Sequence, residues 1–195
     1  LVTVDVKNAF NSLRWSDILQ VLVNSNAPPY LTEIVASYLS DRFLLASCPD
    51  GELHAQVFGG VPQGSVMGPY LWNIVYNDLF KCSLPPGVSY IAYADDLAIF
   101  IEASNTEQFE ERTSAALQTT HRWLTTRGLR IAEEKTEAVQ LAGIRKARIV
   151  DIAFVCHKVS ISASIKYLGV IIDTQKRFAA HMAKVACKAL GSKAV

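Results

Sequence analysis

The segment Tyr90-Ile91-Ala92-Tyr93-Ala94-Asp95-Asp96-Leu97-Ala98-Ile99-Phe100-Ile101 decides the fold, because it sets two adjacent carboxylates between two short apolar runs. The aromatic, β-branched and aliphatic residues on either side are typical of strands. The segment therefore predicts a strand, a tight acidic turn and a second strand. An acidic pair at such a turn is, taken alone, more often an ordinary hairpin turn than a catalytic site.

A third acid ends another apolar strand, Val2-Thr3-Val4-Asp5. If the strands are neighbours in one sheet, Asp5, Asp95 and Asp96 converge. Clustered carboxylates repel and raise each other's pKa, so they persist most easily by binding divalent metal. Two Mg²⁺ ions roughly 3.5–4 Å apart can activate an attacking hydroxyl and neutralise a leaving group in phosphoryl transfer. Oxygen ligands of this kind favour Mg²⁺ or Mn²⁺.

The remaining periodic segments predict an α+β fold rather than a regular βαβ series. Helices are predicted from Ser16 to about Asn26, Leu31 to Leu39, Pro69 to Leu79, Asn105 to Gly128, and Phe178 to Leu190. Further strands are predicted at Phe43–Cys48, Leu53–Phe58, Glu137–Leu141, Ile149–Val155, Val159–Ile161 and Tyr167–Ile172.

Composition limits the class of protein. The chain has 195 residues, of which 50% are hydrophobic, which suits one domain or one domain with a small appendage. Its apolar runs are too short to span a bilayer, and no signal peptide is recognisable. Four scattered cysteines form no C-x-x-C pair and give no zinc-ligand spacing with the histidines, so we expect no structural zinc. We expect the thiols to be reduced and the protein to be intracellular, in the nucleus or the cytoplasm, and not secreted. Leu1 already reads as the middle of a strand, so we expect sequence upstream of it.

Charge is unevenly distributed although the net charge is only +1. Residues 1–126 carry 6 Lys and Arg against 13 Asp and Glu, whereas residues 127–195 carry 13 against 5. This asymmetry fits a protein that holds a phosphate backbone on one side and cations on the other. From charge alone, a solvated charged face is the better explanation.

Tyr93-Ala94-Asp95-Asp96 resembles the central motif of reverse transcriptases, especially those of non-LTR (LINE-like) retrotransposons and of group II introns. Four further segments resemble that family's motifs in the family's order: Asp5–Phe10, Gly60–Pro69, Gly128–Thr136 and Lys166–Val170. Each motif is weak alone, but five in order are strong. The resemblance implies a polymerase palm, with an antiparallel sheet packed on helices, over residues 1–173. Residues 174–195, with His181, Lys184 and Lys188, resemble the helical start of a thumb.

The resemblance also implies roles for individual residues. The metal site would comprise Asp5, the carbonyl of Val6, Asp95 and Asp96, holding two Mg²⁺ ions (or Mn²⁺). Nucleotide binding would fall to Ala9, Phe10, Gln63 and Gly64, and contact with primer and template to Tyr93, Tyr167, Leu168 and Gly169. Lys135 would donate a proton to pyrophosphate. Phe10 would lie under the sugar and exclude a 2′-hydroxyl, so that deoxynucleotides are selected. The family usually has Asn at the position of Ala132, so we expect a looser turn before Lys135.

The function implied is RNA-directed DNA synthesis, by transfer of nucleotides from dNTPs to a primer 3′-hydroxyl. The ligands implied are an RNA template, a DNA primer or RNA–DNA hybrid, and dNTPs. The protein partners implied are other parts of the same polyprotein, namely fingers, thumb and an endonuclease. No interaction with a membrane is expected. Because the basic fingers that hold the triphosphate are not recognisable, residues 1–195 alone are expected to have little activity. Two alternatives are an RNA-dependent RNA polymerase, which Phe10 and Ala94 disfavour, and a palm that binds nucleic acid without catalysis.

Overall fold

The computed structural model describes residues 1–49, 51–141, 152–154 and 157–191. The α-helices are α1 (Ala9–Ser12), α2 (Trp15–Asn24), α3 (Pro29–Leu39), α4 (Met67–Tyr76), α5 (Thr106–Thr126) and α6 (Ala179–Gly191). The strands are β1 (Val2–Val4), β2 (Val6–Lys7), β3 (Phe43–Cys48), β4 (Gly51–Gln56), β5 (Val88–Tyr93), β6 (Asp96–Ile101), β7 (Arg130–Ile131), β8 (Glu137–Val139), β9 (Ile152–Phe154), β10 (His157–Val159), β11 (Ile161–Ser162), β12 (Ser164–Tyr167) and β13 (Val170–Asp173). Short 3₁₀ helices cover Asn77–Lys81 and Glu133–Lys135.

The chain divides into two compact units. The first contains Leu1–Asp5, Leu84–Thr119 and the described residues from Ala132 onward. The second contains Val6–Ser83 and Thr120–Ile131. The sequence-based division into residues 1–173 and 174–195 follows another principle, the resemblance to a palm and a thumb, and it stays a prediction.

A five-stranded sheet in the order β11-β8-β1-β6-β5 forms the framework of the first unit. β1 lies at its centre and pairs antiparallel with β6, with Val2 opposite Ile99 and Val4 opposite Leu97. These side chains are at most 2% exposed, as expected for apolar residues of a central strand. Full burial of each contributes about 1.5–3 kcal/mol, so the pairing of β1 with β6 is firmly held.

The acidic turn joins β5 to β6 as a tight hairpin. Tyr93 pairs with Asp96, which leaves Ala94 and Asp95 as the two turn residues. Ala94 has a φ of 55°, in the left-handed region that a residue with a Cβ seldom adopts. The predicted strand, turn and strand are therefore present, and Asp96 is the first residue of β6 rather than part of the turn.

Helix α5 buries one continuous face. Thr113, Ala116, Leu117, Thr120 and Leu124 are all at most 1% exposed, at the three- and four-residue spacing of a helical stripe. The Tyr90 hydroxyl on β5 donates a hydrogen bond to the Ala116 carbonyl at 3.4 Å, which ties the sheet to the helix within the first unit. The prediction of an α+β fold with a sheet packed on helices is thus confirmed.

Two predicted strands in the last third of the chain are wrong in detail. The predicted strand Tyr167–Ile172 is a hairpin of β12 and β13, in which Leu168 and Gly169 form the turn with φ values of 48° and 83°. Two consecutive positive φ angles match the twist of a two-residue hairpin, and the alternation of apolar residues concealed this turn. The predicted strand Val159–Ile161 is divided between β10 and β11, and β11 pairs parallel to β8, an exception in an otherwise antiparallel sheet. Most of the predicted strand Ile149–Val155 lies outside the described residues.

Asp173 organises the connection to the last helix. Its carboxylate accepts backbone N–H bonds from Gln175 (2.9 Å), Arg177 (3.2 Å) and Phe178 (2.7 Å). The bond from the Arg177 N–H, with those from its neighbours, lowers the pKa of this carboxyl, because hydrogen bonds favour its ionised form. One side chain therefore fixes the five residues before α6. No helix within the described part of the chain is long and apolar enough to cross a membrane.

The second unit brings two loop segments together. The Gly60 N–H donates to the Leu13 carbonyl at 2.6 Å, and the Val61 N–H donates to the Phe10 carbonyl at 2.7 Å. Gly60 has a φ of 82°, and a Cβ there would lie 2.9 Å from the backbone of Asn11, so only glycine fits this approach. The loop that leads into α4 is consequently fastened to the segment around α1.

Candidate active site

In the first unit, a pocket of about 350 Å³ lies where β1 ends and β6 and β8 begin. It is lined by Thr3, Val4, Asp5, Asp96, Leu97, Lys135, Glu137, Lys166, Tyr167 and Leu168. Asp5 and Asp96 share this pocket because of strand register. Val4, the last residue of β1, lies opposite Leu97 of β6; Asp5 directly follows Val4, and Asp96 directly precedes Leu97. The apolar residues of β1 and β6 therefore position the two carboxylates.

Negative charge accumulates around Asp96. Partial burial and the charges of Asp95 and Asp5 raise the pKa of Asp96, and the positive charge of Lys135 offsets part of this effect. Asp5 and Asp95, the other two acids that the sequence singled out, thus both lie within electrostatic range of Asp96. Because burial and the neighbouring negative charges disfavour the ionised form of Asp96, a cation bound beside it would stabilise that form.

Lys135 supplies one positive charge directly to Asp5. Its Nζ donates a 2.7 Å hydrogen bond to Asp5 Oδ2, and the lysine side chain is 65% exposed. This hydrogen bond and the charge of Asp5 raise the pKa of Lys135. The Ala132 N–H donates to the Asp5 carbonyl at 2.9 Å, and the Ala132 carbonyl accepts from the Lys135 N–H at 3.0 Å. The turn before Lys135 is therefore a hydrogen-bonded 3₁₀ turn that places the lysine over the acid.

The donor set has the chemistry of a divalent-cation site. Asp5 and Asp96 offer carboxylate oxygens to one pocket and Asp95 adds charge beside them, which suits hard cations such as Mg²⁺. Among the residues that the structure describes, no three His, Cys, Asp or Glu side chains are already arranged to hold a metal ion. The ammonium of Lys135 is bonded to Asp5 at the side chain where a cation would bind.

The β12–β13 hairpin closes one side of the pocket. Tyr167 and Leu168 line it, and the Tyr167 hydroxyl lies 3.5 Å from the Ile91 carbonyl of β5. Burial and the nearby charge of Asp96 raise the pKa of Tyr167. Leu168 is 47% exposed at the turn, and Tyr93 is 69% exposed. These residues present apolar and aromatic surface beside the carboxylates.

The predicted nucleotide-binding residues belong to the second unit. Gln63 and Gly64 are exposed in the loop before α4, and Gly64 has a φ of 80°. Phe10 is partly buried on α1, whereas the side chain of Ala9 is buried. Val6, of which only the carbonyl was assigned a role, also has a buried side chain.

The sequence analysis gave no individual role to two charged residues of the pocket. Glu137 and Lys166 both line it, and the Lys166 N–H lies 3.5 Å from Glu137 Oε2. Lys166 is the first residue of the predicted motif Lys166–Val170, in which only Tyr167, Leu168 and Gly169 were assigned a role. Glu137 gave no signal, because a single acid at the start of a short strand is typical of any solvated edge.

Replacement of Lys135 by alanine is expected to lower the Mg²⁺ or Mn²⁺ concentration that half-saturates the protein. In this variant no ammonium competes with the metal ion for Asp5 Oδ2. Because the exposed ion pair is weak, its loss should lower the half-saturating metal concentration by roughly 1.5- to 5-fold. Isothermal titration calorimetry of the metal-free protein with Mn²⁺ measures the half-saturating concentration in the wild type and in the variant. Lys166→Ala is the matched control, since it removes a charge from the same pocket without breaking the bond to Asp5. An equal shift in both variants would contradict a specific role for the Lys135–Asp5 pair.

Comparison with known proteins identifies the family. Residues 1–172 match the family model described as reverse transcriptase (RNA-dependent DNA polymerase). The chain belongs to the reverse transcriptase family. It is 27% identical over 191 residues to a retrovirus-related Pol polyprotein from type-1 retrotransposable element R1 of Bradysia coprophila, covering 97% of this chain and 19% of that protein.

A second relative is the RNA-directed DNA polymerase from mobile element jockey of Drosophila melanogaster, 26% identical over 190 residues, with 93% of this chain and 20% of the relative covered. The chain spans about a fifth of the length of each of these two relatives. Among solved structures, apo telomerase from Candida tropicalis is similar in fold, with a TM-score of 0.60 at 13% identity, covering 90% of this chain and 31% of that one.

Proposed function

We propose that this chain provides the catalytic palm of an RNA-directed DNA polymerase encoded by a non-LTR retrotransposon. The proposal rests above all on Asp5 and Asp96, which line one pocket beside Lys135 and the β12–β13 turn in a chain of the reverse transcriptase family. In this proposal residues 1–173 form the palm and residues 174–195 begin a thumb. The relatives named for retrotransposable elements support the same assignment.

The chemistry follows from what each side chain can do. Asp5, Asp95 and Asp96, with the Val6 carbonyl, would hold two divalent cations, Mg²⁺ by preference, which supply charge neutralisation at phosphoryl oxygens when bound. Lys135 carries a proton at its Nζ, and that charge can be directed at a phosphate leaving group. Tyr167, Leu168 and Gly169 form a turn whose exposed backbone and apolar side chains can support a primer end, with Tyr93 beside them.

The second unit would contribute the nucleotide contacts. Gln63 and Gly64 are exposed on a loop that backbone hydrogen bonds fasten to the α1 segment, and Ala9 and Phe10 belong to that segment. Phe10 would exclude a 2′-hydroxyl by occupying its volume. The ligands of the whole protein would be an RNA template, a DNA primer or RNA–DNA hybrid, and dNTPs, and its other partners would be the remaining parts of its polyprotein. An intracellular site of action, nuclear or cytoplasmic, belongs to the same proposal.

Primer extension by the complete protein tests this function. With Mg²⁺, a DNA primer and an RNA template, we expect incorporation of dNTPs and strong discrimination against rNTPs. The reaction should stop when EDTA is added and resume when Mg²⁺ or Mn²⁺ is restored. A control reaction without template separates copying from untemplated addition.

The competing functions give different results in that assay. Preferential incorporation of rNTPs would indicate an RNA-dependent RNA polymerase and contradict the role given to Phe10. Tight binding of the primer–template without extension of either kind would indicate a palm that only binds nucleic acid. Both outcomes would overturn the proposal.

A further inference from the structure

Phe10 is the first ring in a row of aromatic side chains within the second unit. Its ring stacks on Trp72 of α4 with centroids 5.2 Å apart and an interplanar angle of 29°. Trp72 stacks in turn on Tyr76 at 4.9 Å and 30°. Tyr76 meets Trp123 edge-on at 5.7 Å, and the Arg127 guanidinium lies 4.4 Å from the centre of the Trp123 ring. The row therefore leads from a partly exposed ring to a buried ring and ends at a cation.

The local backbone around Phe10 holds its ring weakly. Helix α1 has only four residues, begins after Asn8 in the left-handed region, and has no side-chain cap. So short a helix is marginal by itself and depends on the packing around it. The Val61 N–H fixes the Phe10 carbonyl at 2.7 Å, but this bond leaves the side chain free to rotate. The orientation of the ring must come from what it packs against.

We infer that Trp72 is a positioning residue for sugar selection, because its buried indole stacks against Phe10 and prevents that ring from retreating. The inference rests on the proposed function of Phe10 as the residue that excludes a 2′-hydroxyl. It adds a residue of α4 to the residues proposed to select the sugar.

A steric barrier selects only if it resists displacement. If open space lay behind Phe10, the ring could move back and admit the additional hydroxyl. Trp72 is 1% exposed and is itself held by Tyr76, so that it cannot yield without disturbing a close-packed core. Stacked aromatic pairs also have a preferred geometry, which sets the tilt of the Phe10 ring as well as its depth.

The test compares kcat/KM for a dNTP and its matching rNTP in variants of the complete protein. Trp72→Leu removes the stacked ring, and the ratio of rNTP to dNTP use is expected to rise roughly two- to tenfold, the range expected for one aromatic pair. Trp72→Phe keeps a stacking ring and should restore most of the discrimination. Leu39→Ala is the control, since it truncates a buried side chain on α3 of the same unit. Trp72→Met, which fills more of the space, replaces Trp72→Leu if the latter does not fold.

The outcomes separate this inference from the function on which it rests. A raised ratio in Trp72→Leu or Trp72→Met, with Trp72→Phe and Leu39→Ala close to the wild type, supports the inference. If Phe10→Val alters the ratio but the Trp72 variants do not, the role of Trp72 is wrong and that of Phe10 stands. If Leu39→Ala raises the ratio equally, the effect is general loosening and the inference fails. If Phe10→Val leaves selection unchanged, both assignments are overturned.

Discussion

Replacement of both Asp95 and Asp96 by alanine in the complete protein is expected to abolish DNA synthesis while binding of primer–template is largely retained. The two side chains would hold the cations that neutralise charge at the reacting phosphate, and loss of several kcal/mol of such stabilisation lowers the rate by at least about a thousandfold. Binding should persist because carboxylates repel a phosphate backbone rather than attract it. Single-turnover extension and a separate equilibrium binding assay measure the two quantities.

A matched control distinguishes the position of the acids from their charge. Glu110 and Glu111 are adjacent, exposed acids on α5, and Glu110→Ala with Glu111→Ala removes the same formal charge. This control should synthesise DNA normally. Synthesis within tenfold of the wild-type rate by the Asp95 and Asp96 double variant would refute the assignment of these residues to metal binding.

Replacement of Phe10 by valine is expected to admit ribonucleotides. A hydroxyl forced into a filled, well-packed space costs about 1–3 kcal/mol, so removal of the ring should reduce discrimination against rNTPs roughly 5- to 150-fold. The change should come chiefly from a lower KM for rNTPs, because the carboxylates are untouched. Steady-state kinetics with one dNTP and its matching rNTP on the same primer–template provide the measurement.

Two further variants serve as controls for Phe10→Val. Phe10→Tyr keeps a ring of the same width and should preserve selection of deoxynucleotides. Phe58→Val removes an exposed phenylalanine, 77% exposed, from the same unit and should leave selection unaltered. Discrimination that survives in Phe10→Val would show that another group rejects the 2′-hydroxyl.

Much of the fold could be predicted because local signals and tertiary packing agree. Tyr90–Tyr93 and Leu97–Ile101 combine strand propensity with a two-residue turn, and the structure has the hairpin there. The turn at Leu168 was missed because it lacks the usual Asn-Gly or Asp-Gly pair, and only Gly169 tolerates a positive φ easily. The parallel pairing of β11 with β8 depends on a long-range choice of partner that periodicity does not encode.

The candidate site was predictable to the extent that its residues carry charge at strand ends. Asp5 and Asp96 could be placed near each other from strand order alone, once β1 and β6 were assumed to pair. The 2.7 Å bond between Lys135 and Asp5 depends on a 3₁₀ turn formed around Ala132, which sequence patterns suggested only as a loose turn. Trp72 gave no functional signal, because an aromatic residue in an amphipathic helix is ordinarily part of the core.

The positive φ of Ala94 has a consequence for how steadily the acids are held. A residue with a Cβ in this conformation costs on the order of 1 kcal/mol relative to glycine, and the surrounding hairpin must maintain it. The Cβ of Ala94 also excludes many backbone conformations that a glycine could adopt at this position. The hairpin turn therefore has fewer accessible backbone conformations, which restricts how the Asp95 and Asp96 side chains are oriented relative to β5 and β6.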